Sequence, residues 1–136
     1  MNKITLYPAD IYQVVDKSLI SEMDKLILNM LYMPVIGNNA VSLYLKLQSE
    51  TRNIIVSPEL THHHLMTSMA ISLENLKQAR LKLEGIGLMK TYFHKGEINS
   101  YVYELYTPVS AKEFFSHPIF NVILYNNVGK NEYNRL

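Results

Sequence analysis

Three consecutive histidines, His62-His63-His64, are the residues of this chain whose type most readily suggests chemistry. Imidazoles hold transition metals and move protons near neutral pH. Metal ligation on a helix needs donors three or four residues apart, so that they share a face. Adjacent residues in a helical first turn point in three directions, and no Asp, Glu or Cys follows them in the helix they open. The run therefore predicts exposed histidines at a helix start and no metal site. Catalytic patterns are scarcer still. There is no Gly-x-Gly-x-x-Gly or Walker-type loop and no nucleophile elbow. Asp10, Asp16, Glu22 and Asp24 cluster early, but capping and solvation account for them. No catalytic residue and no cofactor is expected, and the chain reads as a non-enzyme.

Contact with a polyanion is the second candidate chemistry. Lys77 and Lys82 face outward on a helix predicted over Leu73 to Glu84, and Lys90, His94 and Lys95 lie on a hairpin beside Tyr92 and Phe93. Basic and aromatic side chains on a hairpin can hold a backbone or stack on an unpaired base. On the helix, however, Glu74 and Glu84 cancel the lysines, and Leu81 stands among them. Arg80 sits at the edge of the apolar stripe with Glu84 four residues on, the pattern of a packed, paired structural arginine. The net charge is only +1, from 13 basic and 12 acidic residues. Proteins that live on phosphate backbones carry a clear basic excess. Lys90 and Lys95 would equally serve to keep an edge strand soluble. DNA contact, single- or double-stranded, would be weak, indifferent to sequence and salt-labile.

Association is the third candidate. A helix from about Asn38 to Glu50 carries Ala40, Val41, Leu43, Tyr44, Leu45 and Leu47, apolar over more than half its circumference. A later one, from Pro118 to about Asn127, carries Ile119, Phe120, Val122, Ile123, Leu124 and Tyr125. Helices that apolar bury themselves on several sides or in a partner. Val41, Leu45, Leu81, Phe120 and Leu124 are thus candidate interface residues, with a homo-oligomer as the expected state. Ten tyrosines and seven methionines fit a partly wet interface or a tyrosine-rich core equally well.

The elements that must position these residues follow from periodicity. Asp10 to Val15 is β-prone. Ser21-x-x-Asp24 opens a helix from Glu22 to about Met33 whose apolar face gathers Met23, Leu26, Ile27, Met30 and Leu31, and which Pro34 stops. Ile54-Ile55-Val56 predicts a short strand. Thr61 and Ser72 cap helices ending near Met69 and Glu84, the second carrying a Leu73, Leu76, Ala79, Leu83 and Ile86 stripe. Leu88 to Phe93 and Tyr101 to Tyr106 alternate as paired strands around a turn-rich wing. Ser110-x-x-Glu113 opens a short helix. Gly129 ends the last one, leaving Lys130 to Leu136 without clear structure. Helix, tight turn, helix, hairpin is the order of a winged helix-turn-helix. The fold class is mainly α with a small β-hairpin wing and extra helices at both ends. The chain divides into an extension over 1–20, a winged-helix core over 21–107 and a helical appendage over 108–136.

At 136 residues one domain is expected. Hydrophobic content of 48% with 18% charge is ordinary for a soluble protein. Without cysteine, a disulfide framework is excluded and a reducing, cytoplasmic setting fits. No secretory signal and no apolar window of membrane-spanning length is visible, so membrane contact would be peripheral. An over-apolar last helix reads as the end of an N-terminal piece of something longer.

An ordered set of short segments adds a resemblance: Asp10-x-Tyr12-x-Val14, Leu31-Tyr32-x-Pro34-x-Ile36-Gly37, Ala79-Arg80-x-x-Leu83-Glu84-x-Ile86-Gly87-Leu88, Lys90-Thr91-Tyr92, Tyr101-x-Tyr103-Glu104-Leu105 and Pro108-x-Ser110-Ala111-x-x-Phe114-Phe115. In this order they resemble the N-terminal domain of the Gram-positive replication initiation and membrane attachment proteins of the DnaB/DnaD primosomal family. The resemblance runs from about Asp10 to Gly129. It implies a non-enzymatic protein of replication initiation or restart that helps place the replicative helicase on DNA. The implied partners are a DnaD-like protein and a helicase loader, with oligomeric scaffolding, nucleoid localisation and membrane association as properties of the full proteins. Much of the DNA binding in such proteins is attributed to later domains, which agrees with the near-neutral charge here.

Overall fold

The computed structural model describes residues 5–16, 20–51 and 55–135. Its first helical rod begins where the capping box predicts. Ser21 Oγ accepts from the Asp24 N–H at 3.0 Å, and Asp24 Oδ2 accepts from the Ser21 N–H at 2.9 Å. Helix α1 (Glu22–Ile27) runs into a π turn over Leu28–Tyr32 and then α2 (Met33–Ile36). Pro34 therefore does not stop the rod. The Met33 N–H reaches back five residues to Leu28 O, and this wide turn accommodates a ring that would clash with the carbonyl four residues earlier. The wide turn also sets which residues are inside. Ile27, Leu28, Leu31 and Tyr32 are buried, whereas Met23, Leu26 and Met30, expected on the same face, form a separate exposed stripe.

Gly37, at φ +87° and ψ 167°, ends the rod and turns the chain into α3 (Asn38–Ser49). Only glycine adopts that conformation without strain. Thr61 caps α4 (His62–Met69), and Ser72 caps α5 (Leu73–Gly85), as the sequence predicts. The tight connection between them closes through Ala70 in the left-handed region and an Ile71 N–H to Met66 O bond of 3.0 Å.

The sheet is mixed. The N-terminal strand β1 (Ile11–Asp16) lies antiparallel to the two-residue β2 (Leu60–Thr61) and parallel to β4 (Ser100–Leu105). The edge strand β3 (Met89–His94) pairs antiparallel with β4, giving the order β2-β1-β4-β3. The strand expected over 54–56 reduces to one bridge, Val56 opposite Val15, and Ile54 lies outside the described residues. There Ser57 answers Val14 with its main-chain N–H and its side-chain oxygen, and Pro58 has no N–H with which to continue a ladder. One sheet face, with Tyr12, Val14, Tyr101, Tyr103, Leu105 and Met89, is covered by helices; the other faces solvent.

Five tyrosines, residues 12, 32, 44, 101 and 103, belong to the core. Four of these hydroxyls are paired: Tyr12 donates to Glu50 Oε1 at 2.7 Å, Tyr44 to Tyr106 O at 2.7 Å and Tyr103 to His62 Nε2 at 2.6 Å, while Tyr32 accepts from the Val109 N–H. An apolar body with a satisfied polar tip is what lets tyrosine occupy an interior.

Helix α6 (Ala111–Ser116) is capped by Ser110, and α7 (Pro118–Arg135) is broken at Gly129, φ +81°. The segment after Gly129, expected to lack structure, is helical to Arg135; Leu136 lies outside the described residues. Tyr133 explains this, because its hydroxyl bonds to Asn121 Oδ1 and its ring packs on Phe115 and Tyr125. The whole is a winged helix with helices added at both ends.

Candidate assembly and nucleic-acid surfaces

Helix α5 presents Leu76, Ala79 and Leu83 to the core, which turns Glu74, Gln78, Leu81 and Lys82 outward. Glu74 accepts from Gln78 Nε2 at 3.2 Å and pairs with Lys77 at 3.8 Å, so one of the two candidate lysines here is already neutralised. Lys82 lines a shallow cleft with Asn38, Asn39, Asn75 and Gln78. Leu81 stays 53% exposed in the middle of this surface.

Arg80 does not read out to solvent, nor does it pair with Glu84 within ion-pair distance. Its guanidinium carbon lies 5.4 Å from the Tyr101 ring centre, and Nε and Nη1 are buried with no hydrogen-bond partner among the described residues. The expected packing is present; the expected partner is an aromatic face instead of a carboxylate.

On the hairpin, alternation puts Lys90, Tyr92 and His94 on the solvent face of the sheet. Lys90 Nζ lies 5.2 Å from the Tyr92 ring centre. Glu104, opposite Lys90 in the ladder, accepts from the Tyr92 hydroxyl at 3.4 Å and from the Tyr106 hydroxyl. That second bond pushes the Tyr106 phenol up to about 12. His94 and Lys95 are exposed at the wing. Lys82 and the wing cations thus belong to two surfaces, one beside α3 and one on the outer sheet face.

The apolar candidates divide differently from expectation. Val41 and Leu124 are buried in the chain's own core, and Leu45 and Phe120 are packed against it. Helix α3 contacts α5, β1 and the π turn together, and this consumes its wide apolar surface internally. Helix α7 closes over α2, where Phe120 meets Tyr32 and Phe114 and stacks on His117. Val41 and Leu124 therefore cannot serve as interface residues. The exposed remainder of α7 is Ile119, Val122, Ile123 and Tyr125, at helical spacing.

His62 corrects the reading of the histidine run. It is fully buried. Its Nδ1 lies 2.7 Å from Asp10 O, which only accepts, so Nδ1 carries the hydrogen and Nε2 accepts from Tyr103. Burial lowers its pKa, against the raising effect of the Asp10 carbonyl, and the Arg80 charge adds to the lowering. His64 bonds to Glu50 Oε2 at 2.8 Å, and Glu50 also holds Tyr12, so one carboxylate joins α3, α4 and β1. Among the described residues no group of three metal-ligating side chains converges. Among them, too, no helix is long and apolar enough to cross a membrane.

Comparisons with known proteins agree with this architecture. The chain matches the DnaB N-terminal winged helix domain family over residues 6–136. It is 32% identical over 135 residues to the replicative helicase loading/DNA remodeling protein DnaB of Staphylococcus aureus, covering 96% of this chain and 28% of that protein. Among solved structures it is similar to primosome protein DnaB, residues 1–300, from Geobacillus stearothermophilus. There the TM-score is 0.89 at 36% identity, over 96% of this chain and 50% of that one. A match to the family model over residues 6–136, beside a closely similar solved fold at 36% identity, makes this chain a member of the DnaB N-terminal winged helix domain family.

Proposed function

We propose that this chain is a non-enzymatic assembly module of the primosome, serving replication initiation through helicase loading. It spans 28% of the Staphylococcus aureus relative, whose name supplies helicase loading and DNA remodeling. The activity proposed here is therefore a structural share of helicase loading, either self-association, docking of a primosomal protein such as a DnaD-like protein or a helicase loader, or both. The observation that carries it is the exposed leucine on α5, where a DNA-reading helix would present donors and positive charge. The exposed stripes on α1 and α7 add apolar surface of the same kind, and the winged-helix body, taken with β1 from the 1–20 segment because that strand lies inside its sheet, is the docking body, carrying the 108–136 appendage. The setting proposed is the cytoplasm, at the nucleoid, with any membrane contact peripheral and belonging to longer relatives.

Light scattering on the purified chain, together with pull-down of primosomal proteins, tests this. Leu81→Glu is expected to weaken binding of a primosomal protein while leaving the circular dichroism spectrum unchanged. A strictly monomeric chain that also binds no primosomal protein refutes the reading.

Weak DNA binding is the second reading, favoured by Lys82, Lys90 and Lys95, which have no carboxylate within 4.0 Å among the described residues. Fluorescence anisotropy across a salt series discriminates it, because phosphate contacts give an affinity that falls steeply with salt. Affinity unchanged by charge reversal at Lys90 and Lys95 removes the wing from consideration.

A further inference from the structure

The outer edge of β3 has no strand beside it among the described residues, and its sequence is complementary to itself. The Tyr106 N–H donates to Leu88 O at 2.9 Å, which fixes the phase of the β3–β4 ladder. In that phase Lys90, Tyr92 and His94 bond inward to β4. Met89, Thr91 and Phe93 point their N–H and C=O groups outward. No backbone bond is formed on that side among the described residues. An edge of alternating donors and acceptors is complemented by another extended chain. A nucleic-acid backbone would leave the outward carbonyls facing phosphate.

We infer that the β3 edge is the self-association surface, pairing antiparallel with the β3 edge of a second copy about a two-fold axis at Thr91. The inference rests on the assembly reading above and names the surface. Charge and ring contacts select the register. Pairing about residue 90 sets Lys90 against Lys90, like charges directly opposite, which is destabilising, and pairing about residue 92 sets Tyr92 against itself and Lys90 against His94, which forfeits a Lys90–Tyr92 contact between chains. Pairing about Thr91 sets Lys90 against Tyr92 of the second copy, repeating between chains the cation-over-ring contact of 5.2 Å already present within one. It also sets Met89 against Phe93, and Thr91 against its twin. Thr91 Oγ1 is buried with no hydrogen-bond partner among the described residues, and opposed threonines can hydrogen-bond across an antiparallel pair. Because the axis runs perpendicular to the sheet, both α5 helices stay on one face, each with its exposed Leu81. A ladder this short buries less than a permanent dimer interface, so the association is reversible.

Sedimentation equilibrium on the full chain and three variants tests this. Thr91→Pro removes an outward N–H at an edge, where proline is tolerated, together with the hydroxyl set against its twin, and no bond within the β3–β4 ladder. It is expected to fold with an unchanged circular dichroism spectrum and to be monomeric. On the solvent face, Tyr92→Glu and Tyr92→Lys separate register from packing. Glutamate opposite Lys90 of the second copy should keep the dimer, whereas lysine there should raise Kd roughly tenfold or more. Equal effects of the two substitutions, or a Thr91→Pro variant that self-associates like the parent, overturn the inference while the assembly reading stands. A parent chain that is monomeric but binds a primosomal protein, or an extended acidic peptide at this edge, has the same consequence. A parent chain that is monomeric and binds no primosomal protein removes both.

Discussion

His62 offers the sharpest test of how this fold is held. It is buried as a neutral imidazole, donating through Nδ1 to Asp10 O and accepting at Nε2 from Tyr103. Its folded-state pKa lies below the ordinary value of 6.5, through burial first and the nearby Arg80 charge second. The unfolded chain therefore binds more protons than the folded one below that value. Stability is full above about pH 6.5 and falls with decreasing pH, by up to about 1.4 kcal/mol per pH unit, until the folded-state pKa is reached. Protonation would put a second N–H against the Tyr103 hydroxyl at 2.6 Å, and the Asp10 carboxylate, whose Oδ2 accepts from the Tyr7 N–H, opposes the burial penalty only in part. In His62→Leu the Asp10 carbonyl keeps the main-chain N–H of residue 62 at 3.0 Å, but the Tyr103 hydroxyl loses its acceptor. An orphaned buried hydroxyl costs about 1–3 kcal/mol. Urea unfolding of parent and variant should show that deficit near neutral pH. The two curves should then draw together as the pH falls below 6.5, since only the parent loses stability there through this group. A deficit that stays constant with pH refutes the buried neutral imidazole. So does a nitrogen NMR spectrum showing the hydrogen on Nε2.

Glu50→Gln should destabilise the domain by about 1–3 kcal/mol in urea unfolding, because the Tyr12 and His64 bonds both end on its carboxylate; an unchanged midpoint would show those bonds to be incidental. Gly37→Ala should cost about 1–3 kcal/mol in thermal or urea unfolding. A Cβ there meets nothing within 4 Å, so any loss is backbone strain at φ +87°, and a neutral Gly37→Ala would mean that the corner relaxes.

Local structure was largely legible in the chain. Ser21, Thr61, Ser72 and Ser110 each cap a helix through contacts within a few residues, and Gly37 turns the corner into α3. The hairpin follows from strict alternation, and the family from an ordered set of segments. Interactions of that range depend on spacing, which the sequence contains. Where each apolar face went was not legible. Val41 and Leu124 have the same local pattern whether a second chain or their own core covers them, and only the packing of α3 and α7 decides for the core. Met23, Leu26 and Met30 fail to be buried because a π turn, which periodicity of 3.6 does not anticipate, sets the buried face by other residues. The histidine run is the clearest case. Position in a first turn predicts exposure, but β1 inserts beside β4 and brings Asp10 and Tyr103 to His62 from 52 and 41 residues away. Separations of that size are invisible to periodicity. The sequence by itself determined the winged-helix order, the near-neutral charge and the family; the tertiary structure alone decided which of its apolar, histidine and lysine side chains remain available to a partner, because burial is a property of neighbours brought from elsewhere in the chain.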